Sequence, residues 1–154
     1  MAFSVIGIIS CTVAMTPAPT PAELAQQEVD QAKQREEDAV KSANIEKIGS
    51  KATKILSERL VEADVIPQLV NSVSVTGSIN SDVWTAEIVV NNIWHAGPYQ
   101  TRLQLAQNLQ KIFAKLASPV EAHDYSRIKL VDINGNEVGG SSWIAGTSIW
   151  VSEK

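Results

Sequence analysis

The chain is 154 residues long, 44% hydrophobic and 19% charged, and its 13 Lys+Arg against 17 Asp+Glu leave a net charge of −4. That composition supports a packed core, argues against wholesale disorder, and disfavours a broad basic surface for nucleic acid or anionic lipid. A single cysteine excludes both an internal disulfide framework and a cysteine-based zinc knuckle.

No charged side chain precedes Glu23, residues 2–15 are apolar or small, and Thr-Pro-Ala-Pro-Thr-Pro follows at 16–21. An apolar run of about 14 residues is too short to cross a hydrocarbon core as a helix, which takes roughly 20. It matches the length of a signal-peptide h-region. Within it, Ile8-Ile9-Ser10-Cys11 resembles the lipobox of bacterial lipoproteins, where aliphatic and small residues precede a lipidated cysteine. The resemblance implies an acylated Cys11 at the mature N-terminus and a flexible spacer behind it. It also implies export to the periplasmic face of the envelope. By the same resemblance, Thr12 in place of an acidic residue after the cysteine implies the outer membrane. Residues 1–22 are therefore assigned to a signal and spacer segment.

From residue 23 to 62 the composition reverses, with 9 acidic and 7 basic residues. Residues 24–40 offer only Leu24, Ala25, Val29, Ala32, Ala39 and Val40 as apolar positions. Helix-favouring Glu, Gln, Lys and Ala over a thin apolar stripe predict a solvated helical stalk at 23–43, with weak self-association through it. A stronger stripe follows: Ile45, Ile48, Ala52, Ile55, Leu56 and Leu60 recur at helical spacing and should lie on the folded domain, assigned to 44–154. Ser42 or Asn44 could start that helix separately, although Gly49 does not prevent one long helix. Val65-Ile66-Pro67 should end it, because the residue before proline leaves the α region.

Residues 68–77 alternate Val73 and Val75 with Ser72, Ser74 and Thr76 and read as a strand. Turn residues at 78–82 lead to a longer β-rich run at 83–94, with Trp84, Ala86, Ile88 and Val90 on one face. Gly97-Pro98 breaks it. Tyr99, Arg102, Leu103, Ala106, Leu109, Gln110, Phe113 and Leu116 then follow at helical spacing until Ser118-Pro119. Residues 127–133 form a strand, Asn134-Gly135 is a hairpin signal, and 137–140 is the return strand. A last strand at 148–151 places Ile149 and Val151 on one face and Trp150 on the other. The predicted fold is α+β, in α-β-β-α-β-β order. A helical stalk precedes a mainly antiparallel sheet with helices packed on one face.

The chemistry is sparse. Asp132-Ile133-Asn134-Gly135-Asn136-Glu137 begins like a calcium loop, but positions six and twelve would be Glu137 and Trp143. Such a loop needs glycine and a bidentate acid there, so a turn is predicted instead. Gly139-Gly140-Ser141-Ser142-Trp143 fits neither a phosphate loop nor a nucleophile elbow and reads as a bulge or loop. His95 and His123 lack metal-ligand spacing. No catalytic residue, metal or cofactor is assigned. The most distinctive cluster is Trp94, His95, Tyr99 and Arg102, two aromatics and an imidazole at a helix N-terminus with an arginine one turn in. Helix-end amides, a guanidinium and aromatic surface could receive a carboxylate or peptide group. Its structural reading has Trp94 and Tyr99 cap the sheet–helix interface as buried aromatics, with Arg102 a solvated side chain that saturates local carbonyls.

The reading is an exported, membrane-anchored, non-catalytic binding protein of the bacterial envelope. Its partner is a protein, peptide or envelope component, with no nucleic acid. Two alternatives stand beside it. One is a small envelope hydrolase pairing His95 or His123 with Asp124, Asp132, Ser141 or Ser142. The other is a cytosolic interaction or immunity-type partner with residues 1–15 packed into the fold.

Overall fold

The computed structural model describes residues 20–64, 68–119, 125–142 and 148–153. The chain divides into two compact units, Met1–Glu36 and Glu37–Lys154. Helix α1 runs Pro21–Glu62 as one element. It starts on a reciprocal cap: the Glu23 carboxylate accepts the Thr20 amide at 2.7 Å, while Thr20 Oγ1 accepts the Glu23 amide at 3.4 Å. The backbone hydrogen bond from Thr20 holds the Glu23 carboxyl below its ordinary pKa. Proline at the first helical position loses no hydrogen bond, because that amide has no partner inside a helix. Every described residue of the first unit is exposed, as the thin stripe predicted.

In the second unit the same helix acquires a buried face of Gly49, Ala52, Leu56 and Leu60, flanked by half-buried Ile45, Ile48 and Ile55. Leu56 and Leu60 are fully enclosed, each worth roughly 1.5–3 kcal/mol of burial. The helix lies close enough to strand β1 (Val70–Ser78) that Thr53 Oγ1 accepts the Val75 amide at 2.8 Å. Only glycine fits at 49: a Cβ there would stand 2.6 Å from the Val75 carbonyl oxygen. The helix stops at Ala63-Asp64, where Asp64 takes the left-handed conformation with φ 56°. The proposed stop signal Val65-Ile66-Pro67 lies outside the described residues.

Strand β2 (Ser81–Val90) pairs antiparallel with β1 across the two-residue turn Ile79-Asn80. Its alternation sorts as predicted. Trp84, Ala86, Ile88 and Val90 are buried, and Val83, Thr85, Glu87 and Val89 are half-buried on the other face. The strand ends at Val90, earlier than the β-rich run to Trp94 suggests. Asn91 Oδ1 accepts the Ile93 amide at 2.9 Å and caps helix α2 (Asn92–Ala96). A capping side chain overrides the β-preference of Ile93 and Trp94, because a helix start must satisfy amides that nothing else reaches.

Helix α3 (Tyr99–Ile112) continues into a single π-turn segment (Phe113–Ala117), where the Ser118 amide bonds the Phe113 carbonyl at 2.8 Å. It returns the chain so that β3 (Ser126–Val131) runs parallel to β2. β4 (Glu137–Ser141) and β5 (Ile149–Val151) add antiparallel neighbours, giving spatial order β1-β2-β3-β4-β5. Three of the four pairings are antiparallel, so the α+β class and the mainly antiparallel sheet stand as predicted. The parallel β2–β3 pair was not foreseen. It follows from the crossover helix, which cannot return the chain as a hairpin does. One core joins Leu56 and Leu60 of α1, Ala106, Leu109 and Phe113 of the α3 region, and the inward residues of all five strands.

Candidate functional site at the α2–α3 junction

Four local features build the junction. Asn91 caps α2 and also ties it to the preceding loop, donating from Nδ2 to the Gln68 carbonyl at 2.9 Å. Trp94 is 1% exposed and anchors α2 in the core. Gly97 then runs extended, its amide bonding the Trp94 carbonyl. Pro98 occupies the N-cap of α3, where it offers no capping side chain, and the first turn holds no acidic residue. The positive end of a 14-residue helix therefore carries free amide donors without a carboxylate to match them.

Arg102 sits one turn inside this end and is 4% exposed. A helical side chain leans back toward its N-terminus, and the Arg102 stem passes 3.7 Å from where a Cβ on Gly97 would stand. Beyond that stem the guanidinium reaches the backbone that follows β5. Its Nη2 donates to the Glu153 carbonyl at 3.4 Å, a long bond, while Nε and Nη1 are buried without a partner. No carboxylate pairs with it among the described residues. This corrects the expectation of a solvated arginine, because position 102 falls on the inward stripe with Ala106, Leu109 and Phe113. A buried cation lacking a countercharge costs several kcal/mol, and each unsatisfied buried donor adds about 1–3 kcal/mol.

The four predicted residues divide by depth. Trp94 and Arg102 are buried, while His95 is exposed and Tyr99 is 40% exposed. The expected burial of Tyr99 is thus also corrected; Trp94 is the aromatic that seals the sheet–helix interface. Its Nε1 is buried without a partner as well.

The chain matches no protein-family model, no curated protein and no solved structure. What the site can do is read from its own geometry.

The remaining predicted residues behave differently. Cys11, His123 and Asp124 lie outside the described residues. The Ser141 hydroxyl donates to Gln110 Oε1 at 3.1 Å and accepts the Ile128 amide at 3.0 Å, so it is engaged with an amide side chain and the backbone. Gln110 Nε2 in turn donates to the Ser126 carbonyl, and the Ser118 and Ser126 hydroxyls bond each other. This closed network ties the end of α3 to β3 and β4. Ser142 donates its amide to the Ser148 carbonyl at 2.7 Å. The Asp132 carboxylate accepts the amides of Asn134 and Asn136 at 2.8 Å and the Asn136 side chain at 2.9 Å. The Asn136 side chain chiefly holds its pKa below the ordinary carboxylate value, and the segment is a turn, as predicted, with Gly135 at φ 83°. Among the described residues no group of three or more His, Cys, Asp or Glu could hold a metal ion. On the sheet face away from the helices, Lys129 bonds Glu87 at 3.0 Å, which raises the lysine pKa. Such exposed pairs contribute little stability.

One feature escaped sequence reasoning. An apolar cavity of about 380 Å³ lies beside α3, with Trp94, Leu105 and Leu109 in its wall. Leu105 and Leu109 share one side of the predicted helix, but nothing in their spacing shows that the opposing surface is left unfilled.

Proposed function

We propose that this chain is a lipid-anchored binding protein of the bacterial cell envelope. It is held on the periplasmic face of the outer membrane through Cys11 and takes up an anionic group at the α2–α3 junction without catalysing a reaction. One observation carries the binding assignment: an arginine 4% exposed, one turn inside a helix N-terminus that has no side-chain cap, with Nε and Nη1 unpartnered. Arginine in a desolvated site is a strong carboxylate and phosphate receptor, because its planar donors match those oxygens and its charge persists at any physiological pH. The Glu153 carbonyl is a weak substitute, being neutral and 3.4 Å away. An arriving anion displaces it.

The anchoring half of the proposal is supported by the lipobox-like Ile8-Ile9-Ser10-Cys11 and the proline-rich segment behind it. A spacer of that composition keeps a folded unit off the membrane surface. No helix among the described residues is long and apolar enough to cross a membrane.

Two measurements test the two halves separately. Intact-mass analysis of native protein should show cleavage before Cys11 and added acyl mass, and Cys11→Ala should abolish detergent partitioning. Two acyl signals are needed for stable anchoring, since one chain binds only marginally. An unmodified, full-length mass removes the anchor. Titration with acetate, followed by the Arg102 Nε–H resonance in nitrogen-edited NMR, should shift that signal with the amides of Tyr99, Gln100 and Thr101. A resonance that does not move removes the anion site.

A further inference from the structure

The sheet face turned away from the helices carries an open cleft of about 740 Å³. Strand register fixes what stands there, because residues directly opposite each other on neighbouring strands share a face. One row across β2 to β5 is Glu87, Lys129, Gly140 and Trp150, and the next holds Thr76, Thr85 and Arg127. Gly140 opens a gap in the first row. A Cβ there would stand 2.7 Å from the Ile128 carbonyl oxygen, so no side chain projects between Lys129 and Trp150. Two strand spacings, roughly 10 Å, separate those two residues. Trp150 is 38% exposed at one end of the cleft. Thr76, Ser78, Ser81 and Thr85 add hydroxyls to its lining. The charges cancel. Lys129 is bonded to Glu87 at 3.0 Å and lies in the field of Glu137, and Arg127 is the second cation.

We infer that this cleft binds a neutral glycan of gluco-configured pyranose rings, with one ring packed on Trp150 and its hydroxyls on Lys129, Glu87 and Thr85. The site is separate from the α2–α3 junction and does not depend on it. A pyranose whose substituents are all equatorial offers a flat C–H face to an indole. Around that face runs a rim of hydroxyls that both donate and accept. An aromatic beside a paired ammonium and carboxylate meets both demands. The balance of charge selects against other ligands. An anion, or the phosphates of a single-stranded nucleic acid, would need cations that no acid already compensates. A purely apolar ligand would strip water from the Lys129–Glu87 pair and return no hydrogen bond. At the roughly 30 Å³ that a water takes in the liquid, the cleft holds on the order of two dozen heavy atoms, the size of a disaccharide.

The test is calorimetric titration of the full chain with cellobiose, N,N′-diacetylchitobiose and β-1,4-galactobiose, at low and at high salt. One or both of the gluco-configured sugars should bind, with an affinity that salt leaves unchanged. Galactobiose, whose axial hydroxyl breaks the flat face, should bind about tenfold more weakly, and Trp150→Ala should weaken the gluco-configured sugars by at least tenfold. Trp150→Phe, which keeps an aromatic face, should retain most of the affinity. In nitrogen-edited NMR of the unaltered protein, the bound sugar should move the Thr85, Arg127 and Lys129 amides and the Trp150 indole. The amides of Tyr99, Gln100 and Thr101 should stay in place. Binding that survives Trp150→Ala undiminished, or that moves the junction amides instead, overturns the inference. So does tighter binding of a thymidine oligonucleotide that weakens steeply with salt, which would assign the face to a phosphate backbone. Failure of both gluco-configured sugars to bind also removes the glycan site, and leaves the anion site to be judged by its own acetate titration.

Discussion

Replacing Arg102 by methionine removes a buried cation while keeping an unbranched stem that can fill the same space. In the native protein that cation is 4% exposed, contacts the Glu153 carbonyl at 3.4 Å, and leaves Nε and Nη1 unsatisfied. The lost Glu153 bond lies at the weak end of the roughly 1.5–3 kcal/mol assigned to hydrogen bonds on charged groups. Against it stand two buried donors at about 1–3 kcal/mol each, and the desolvation of the charge itself. Hydrophobic replacement of buried ionic groups is commonly neutral to about 4 kcal/mol stabilising. The expected outcome is therefore a gain of about 1–3 kcal/mol in the ligand-free protein. For a chain of this size each kcal/mol moves Tm by roughly 2–4 °C. Thermal melts of extensively dialysed protein should thus place Arg102→Met about 2–12 °C above the parent, and urea titrations should show the same direction. The variant should also cease to respond to carboxylates, whereas the parent melts higher in their presence. Stability and binding would then move in opposite directions at one residue. That pattern separates a receptor from a structural anchor. A fall of more than about 1 kcal/mol in Arg102→Met would refute the reasoning, because it would mean that the guanidinium is already compensated within the fold.

Gly49→Ala tests the contact between α1 and β1. Alanine gains about 1 kcal/mol of helix propensity, but its Cβ would meet the Val75 carbonyl oxygen at 2.6 Å, so urea titration should show a net loss of about 1–2 kcal/mol. Trp94→Ala should cost about 3–5 kcal/mol by the same measurement. Tyr99→Ala, with 40% of the side-chain residue exposed, should cost about 1 kcal/mol or less; equal costs would overturn the assignment of Trp94 as the seal. The Asp132 carboxyl should titrate below the ordinary carboxylate range in carbon-detected NMR, because Asn136 and the turn amides bond its charged form. A depressed pKa stabilises above the unfolded value and loses that contribution as pH falls through the folded one. Acid should therefore release the Asn134 and Asn136 amides of the turn before the fold as a whole melts.

Much of the architecture was legible because local rules and tertiary burial agreed. The alternation of Trp84, Ala86, Ile88 and Val90 reports the buried sheet face, since period two and a one-sided core demand it. The same holds for the inward row of α3 and for the Asn134-Gly135 turn. The cap at Thr20-Pro21-Ala22-Glu23 was missed, because residues through 22 were assigned to the spacer, although a threonine three residues before glutamate with proline between them is a helix-start signal. It shows where α1 begins more sharply than the onset of charge at Glu23. The end of β2 was misjudged because strand propensity extends through Trp94, while the deciding bond is a single Asn91 side chain to one amide.

The candidate site is a different matter. Its residue types were visible as a cluster, and Arg102 fell on the helical stripe that includes Ala106 and Phe113. Sequence alone therefore determined the class of fold, the buried faces of its strands and helices, and where chemistry could gather. Whether Arg102 would snorkel out to solvent or be enclosed depends on what covers α3. Only the assembled sheet decides that, because the Glu153 carbonyl that meets its guanidinium lies 51 residues further along the chain. The parallel β2–β3 pairing and the cavity beside Leu105 and Leu109 have the same origin. Periodicity reports which side of an element faces inward. How elements distant in the chain approach, and what volume they leave between them, is set by packing that local sequence does not encode.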